Sequence, residues 1–453
     1  MTRQRTLRLI ERSLGKRALV WFGTRGDDIE MVTDLRNLEA AFSVIAGYRQ
    51  RATIHGAALE DYSHLRVDLD THDIDEDPLV DPIRALRRDM LASLDRPSAV
   101  FTYRPSTFVS AVCFARLDST DYLGMFKGHQ SAFEHKPWVE SAVAQLNIPH
   151  LRWRYVADDE RAHVVPLLRR GPLVLRRSRS SGGVGVVKVE SEEELESEWP
   201  SQDEAFVSVA PYLDGGLPVN IGAVVWDTDV TVHYPSVQLI GIPSLTSRPF
   251  GYCGNDFGAA ADWPARVLDQ VENSTILIGR WLQRLGYRGA FGVDYLVKDG
   301  QALFMEVNAR FQGSTHLSSR ISRMQDESCI ILDHLAANLH ANPVPSAPLR
   351  DRVKACPKLG HVVLHWLGSP REGLSGTPAA ATFAEHPDYV SADVIQPRGV
   401  ATATGATIGR FTIKGPLTST GFDLRPDLDT RARTAITDMT LQHFSSAGKD
   451  SRE

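Results

Sequence analysis

At 453 residues, with 42% hydrophobic and 23% charged side chains, the chain has an ordinary globular make-up and the length for two or three domains. A formal net charge of -6 gives no global pull toward nucleic acid, and no apolar run is long enough to span a bilayer. The four cysteines (Cys113, Cys253, Cys329 and Cys356) show neither paired metal-ligand spacing nor a disulfide-rich pattern, which points to a reducing, cytoplasmic setting.

Met1–Arg17 is basic but lacks the apolar core of a secretory signal, and it reads as a solvated, partly helical lead-in. Ala18–Gly26 then reads as a buried strand entering a Gly-containing loop. Gly23, Thr24, Arg25 and Gly26 would stand at the strand's carboxyl end, where α/β folds bind ligands, and Arg25 is a substrate candidate. Asp28 to Gln50 is expected as a helix, followed by a further apolar strand. Val100–Arg104 and Val109–Phe114 alternate with polar, turn-prone stretches. The βα pattern of residues 1–125 fits an open α/β domain.

His135–Pro149 carries apolar residues at 139, 142, 143 and 146, which is helical spacing. Pro137 suits the first turn and Asn147 a C-terminal cap. Next, Gly171–Lys188 is an apolar strand, a small-residue loop and a second apolar strand. Gly182, Gly183 and Gly185 permit positive φ and close backbone approach, so their N–H groups can cup phosphate oxygens. His233–Phe257 is rich in Pro, Gly and Ser; a long loop inside a compact domain is often functional, and Arg248 is its candidate carboxylate clamp.

Gly289–Arg310 reads as a strand carrying Asp294, a tight turn at Asp299-Gly300, and a strand carrying Glu306, Asn308 and Arg310. Residues two apart face one side of a strand, so Glu306, Asn308 and Arg310 converge and the hairpin brings Asp294 beside them. Two carboxylates and an amide oxygen are hard ligands suited to Mg²⁺, and a guanidinium next to them suits a phosphate or acyl phosphate. His316 follows soon after as a further substrate candidate, at the start of a helical run to about His340. Residues 342–348 read as a linker. Residues 350–445 show short strands at Gly360–Trp366 and Thr407–Ile413, frequent Gly and Pro, and a helix near Thr430–Phe444; residues 445–453 are expected to be disordered.

The hairpin resembles the metal-binding hairpin of the ATP-grasp superfamily, in which an acid on the first strand and Glu-x-Asn-x-Arg on the second hold Mg²⁺ against ATP. The glycine loop is similar to the superfamily's phosphate flap: Ser181, Gly182, Gly183, Gly185 and Val186 fall on its pattern. Arg176 stands there in place of the usual Lys, Arg177 in place of Pro and Ser180 in place of the first Gly. His135–Pro149 resembles the Asp-Lys, helix, Gly-Ile-Pro element, with Lys136 at the lysine that reaches phosphate and with His135 and Asn147 replacing Asp and Gly. Phe206–Gly215 looks like the adenine hinge, which would use the backbone of Ala210 and Leu213, although Pro211 sits where an acid is usual. The resemblance spans about residues 127 to 320.

It implies an N-terminal α/β domain (1–125), a two-lobed α+β ATP-grasp domain (126–345, lobes 126–205 and 206–345) and a small, mainly β C-terminal cap (346–453). It also implies ATP with Mg²⁺ or Mn²⁺ as cofactor, held by Asp294, Glu306 and Asn308, with Lys136 and Arg176 on the phosphates and Arg310 on the transferring group. The expected reaction joins a small-molecule carboxylate to an amine, on an amino acid or peptide, through an acyl phosphate. Bicarbonate activation and a non-catalytic ATP-binding module are the alternatives. No nucleic-acid or membrane partner is expected, and the resemblance allows a homodimer.

Overall fold

The computed structural model describes residues 2–46, 54–75, 80–177, 182–199, 206–396 and 399–447. Its first element, the helix Arg3–Leu14, is more than a solvated lead-in. Leu7, Ile10 and Leu14 lie on one face by helical spacing and are buried, and Thr2 caps the helix through the Arg5 N–H. Arg3 is buried too, with Asp34 at 2.7 Å.

Strands β1 (Ala18–Arg25), β2 (Leu38–Ile45), β3 (Leu65–Arg66), β4 (Ser98–Thr102) and β5 (Thr120–Tyr122) follow. Four of them form a parallel sheet in the order β2-β1-β4-β5, the open α/β unit expected. Over residues 28–46 the long helix expected for Asp28–Gln50 is not formed; 47–50 lie outside the described residues. Gly26–Val32 is a short 3-10 helix, and β2 occupies much of the remainder. Phe42, Val44 and Ile45 are packed into the sheet's core, and burial of β2 overrides the local helical pattern.

The second sheet contains β6 (Arg154–Ala157), β7 (Leu173–Arg176), β8 (Val186–Val189) and β9 (Phe206–Pro211), antiparallel in the order β6-β9-β7-β8. The helix Lys136–Gln145 precedes it, with Pro in the first turn as expected and Asn147 at φ 55° just beyond its end. The third sheet begins with β10 (Leu217–Val225), β11 (Val230–Ile240), β12 (Tyr252–Asp256), β13 (Gly289–Lys298) and β14 (Gln301–Asn308). Asp299 and Gly300 have φ of 50° and 72°, the two left-handed positions that a tight hairpin between β13 and β14 requires.

The C-terminal region supplies β15 (Leu359–His365), β16 (Arg371–Glu372), β17 (Tyr389–Val394), β18 (Ala401–Thr402) and β19 (Thr407–Lys414), then the helix Pro426–Ala447. Its long strands continue the sheet of the β13–β14 hairpin, giving one eight-stranded order, β14-β13-β10-β11-β12-β15-β19-β17. The join at β12 and β15 depends on Gly254, at φ 136°, where a Cβ would lie 2.0 Å from the His361 carbonyl oxygen. A small sheet, β16-β18-β3, links the N-terminal and C-terminal regions.

Candidate active site

A cavity of about 890 Å³ opens among the three sheets, and walls from all of them carry the predicted groups. Asp294 and Glu306 are direct cross-strand partners on β13 and β14. Asp294 accepts hydrogen bonds from Asn220 at 2.5 Å, from Gln238 and Gln312 at 3.3 Å, and from Asn308 at 3.1 Å. The Asn308 amide also donates to Glu306 at 3.3 Å, and its oxygen accepts from Arg310 at 3.0 Å.

Lys136, at the first turn of its helix, places Nζ 3.0 Å from Glu306. The two acids are driven apart as a result. Burial and then the charge of Glu306 push the Asp294 carboxyl well above the usual range. Burial acts upward on Glu306 as well, but the Lys136 ammonium, helped by Arg176 and Arg310, holds it below the usual carboxylate range. Two adjoining carboxylates in a buried site favour added positive charge between them. Oxygen donors of this kind fit a divalent hard cation, and Asp294, Glu306 and Asn308 would hold Mg²⁺.

Arg176 closes β7 with its guanidinium stacked 3.6 Å above the Trp153 ring. It donates to the Met305 carbonyl at 3.2 Å and pairs with Glu140 on the helix that carries Lys136. Burial pushes its pKa down, against the opposing charge of Glu306. Arginine at this position therefore joins the small sheet, the Lys136 helix and β14 while still lining the cavity. Arg310 also lines the cavity and pairs with Glu134 at 3.2 Å.

Gly182, Gly183 and Gly185 all have left-handed φ (59°, 77° and 69°), and Gly182 and Gly183 face the cavity; Ser181 lies outside the described residues. A Cβ on Gly183 would lie 2.0 Å from the Phe250 carbonyl oxygen, so the flap seats on backbone that cannot yield. Gly183→Ala is expected to lift the flap at a cost of about 1–3 kcal/mol and to raise the KM for ATP roughly tenfold. An ATP titration compared with the unfolding midpoint checks this: KM should rise about tenfold while Tm falls by only a few degrees.

At the hinge, Pro211, Tyr212, Leu213 and Asp214 line the cavity. Ala210 is buried within the β9–β7 ladder opposite Val174, in register with the Tyr212 N–H to Pro172 bond, and so its backbone is taken up by strand pairing. Pro211 stands on the cavity wall where Ala210 was expected.

Two substrate candidates are corrected. Arg248 is no open carboxylate clamp: its guanidinium is taken up by Asp68 at 2.6 Å and by Asp70. It fixes the loop on which the flap rests. His316 is buried in the helix Thr315–Met324, about 4 Å from Glu30 and Asp393, and is not part of the cavity wall. Burial, then Arg410 and Arg320, press its pKa well down, so it is neutral packing. Arg25 does line the cavity.

The structure adds wall residues that sequence reading missed: Asn220, Gln238, Gln312, Arg104, His365 and Arg410. Only Asn220 left a local signal, a lone amide in an otherwise apolar strand.

Residues 142–314 match a family described as the ATP-grasp domain. The carbamoyl phosphate synthase large chain of Thermoanaerobacter pseudethanolicus is 27% identical over 184 residues, 39% of this chain but only 16% of that protein. The chain thus matches about a sixth of that relative's length. Among solved structures, carboxyaminoimidazole ribonucleotide synthase from Aspergillus clavatus, complexed with ATP, aligns with a TM-score of 0.57 at 12% identity, covering 94% of this chain and 99% of that one. The biotin carboxylase domain of Hydrogenobacter thermophilus 2-oxoglutarate carboxylase, with MgADP and bicarbonate, aligns with a TM-score of 0.57 at 12% identity, over 88% and 86% of the two chains. Residues 142–314 thus carry an ATP-grasp domain, and the glycine loop, β9 and the β13–β14 hairpin meet at one cavity.

Proposed function

We propose that the protein is an ATP-dependent, ADP-forming ligase that activates a carboxylate and couples it to an amine. The observation that carries this reading is the cross-strand Asp294–Glu306 pair with Lys136 and Arg310 in the same cavity as the flap. A bound Mg²⁺ would supply charge neutralisation to the β- and γ-phosphates. Lys136 and Arg176 hold phosphate oxygens, the flap N–H groups cover them, and Leu213 with Pro211 offers a backbone edge to adenine. A substrate carboxylate oxygen attacks the γ-phosphorus as the bond to the β-phosphate oxygen breaks, releasing ADP and leaving an acyl phosphate. The amine then attacks the acyl carbon, phosphate departs and the amine nitrogen gives up a proton. Arg310 stabilises the charge that builds on the transferring group and on the tetrahedral intermediate.

An amino acid or small peptide is the substrate class we favour, because the cavity of about 890 Å³ extends past the Asp294–Glu306 pair to further arginines, Arg25, Arg104 and Arg410. A second reading, bicarbonate activation, draws support from the likeness to carbamoyl phosphate synthase and to the bicarbonate complex. Nucleotide analysis after incubation with ATP, Mg²⁺ and pools of amino acids and peptides separates them. ADP, phosphate and a product mass equal to acid plus amine minus water support amide formation. ADP release driven by bicarbonate without amine supports the second reading, and AMP would overturn both.

A further inference from the structure

The parallel sheet has the order β2-β1-β4-β5, so the chain leaves β1 to one side and returns to pair on the other. The crevice between the carboxyl ends of β1 and β4 is thus the sheet's topological switch point, where open α/β folds admit ligands. Arg25 ends β1, and Arg104 lies two residues past β4. Both line the cavity that holds the metal hairpin.

The backbone around Arg104 is fixed from both sides. Tyr103 donates its N–H to Phe22 at 2.9 Å and its hydroxyl to the Gln312 carbonyl, and its ring packs 5.5 Å from Phe311. Ser106 caps the next helix and is itself held by Asp75 at 3.0 Å. Arg104 is thereby set beside Arg310.

Its guanidinium, half-buried, makes no hydrogen bond or ion pair among the described residues. The acids around it are spoken for: Glu134 by Arg310 at 3.2 Å, Asp73 by Lys127 at 2.7 Å, and Asp70 by Arg248. Burial and the charge of Arg310 both push its pKa down. The carboxylate to be phosphorylated must lie against Arg310 and the metal hairpin, so Arg104 faces a different group.

We infer that the crevice between β1 and β4 seats a substrate carboxylate other than the reacting one, with Arg104 as its bidentate partner and Arg25 flanking it. Resting on the ligase reading above, this makes the substrate either a dicarboxylic acid or an amine that carries its own carboxylate. Planar, paired oxygens suit the guanidinium fork better than an ammonium, so lysine would not fully replace it.

The test is calorimetric binding to the full chain with Mg-ADP present, in the native protein, Arg104→Gln and Arg104→Lys. The probes are succinate, glutarate and a panel of amino acids, their carboxyl-amidated forms, and inorganic phosphate. The expected result is a carboxylate that binds the native protein about tenfold more tightly than Arg104→Gln, with Arg104→Lys between them. Amidation should erase the difference. A dicarboxylate or an amino acid giving that pattern identifies which substrate brings the group. Mg-ADP affinity should be unchanged across variants, which certifies the fold; failure of the native protein to bind Mg-ADP would count against the ligase reading alone. If no probe carboxylate prefers native protein over Arg104→Gln, or only inorganic phosphate does, the inference is overturned.

Discussion

Glu306→Ala is expected to lower ATP turnover by roughly 10²- to 10³-fold, the loss typical of removing one preorganised electrostatic group. In the native protein Glu306 meets Lys136 at 3.0 Å, and Arg176 and Arg310 act on it too. Its removal takes one acid from a cluster in which Arg176 keeps Glu140 and Arg310 keeps Glu134, and leaves on the hairpin only Asp294, whose ionisation burial disfavours. Without nucleotide the variant should therefore unfold at lower temperature, since buried cations lose their partner. A bound triphosphate replaces the missing negative charge, so ATP should restore much of the midpoint while turnover stays low. Glu306→Gln, which keeps the shape, should show the same kinetic loss and a higher Mg²⁺ requirement. Turnover near the native rate in both variants would remove Glu306 from the metal site.

Glu60→Ala should cost about 3–5 kcal/mol of stability, although it lies apart from the cavity wall. Arg66 donates to Glu60 through two parallel hydrogen bonds, of 3.0 and 3.1 Å, and the two side chains are 2% and 0% exposed. Truncating the acid strands a guanidinium in the interior. Because Arg66 pairs with Thr402 of β18, the damage should reach the sheet that ties the N-terminal region to the C-terminal one. Urea unfolding followed by intrinsic fluorescence reads the loss. A double variant, Glu60→Leu with Arg66→Met, removes both charges and should recover most of it. Equal losses in the single and double variants would show that packing, not the ion pair, holds this joint.

Much of the candidate site was legible because its signals are local. Alternation over Glu306, Asn308 and Arg310, the Asp299-Gly300 turn and the closely spaced glycines of the flap each constrain backbone within a few residues. The Lys136 helix announced itself through Pro137 and its apolar spacing. What stayed hidden depends on partners far away in the chain. Arg248 meets Asp68 and Asp70 about 180 positions upstream, which removes it from the list of substrate groups. His316 turns toward Asp393 rather than the cavity. Asp28 to Gln50 has a helical pattern, yet β2 forms there because Phe42 and Val44 find a sheet to pack against. Arg104 and Arg410 are single residues in unremarkable sequence, and only topology brings them to the cavity wall.

The eight-stranded sheet and the antiparallel four-stranded sheet share no ladder among the described residues. Between them run thin ties, among them the Phe304 N–H to the Pro149 carbonyl at 2.8 Å, Arg176 to Met305, and Lys136 to Glu306. On the proposed reading, a triphosphate gripped from both sides would add further bonds across that seam. The molecule carrying its fuel is then a stiffer body than the empty one, and the nucleotide acts as mortar as well as reagent.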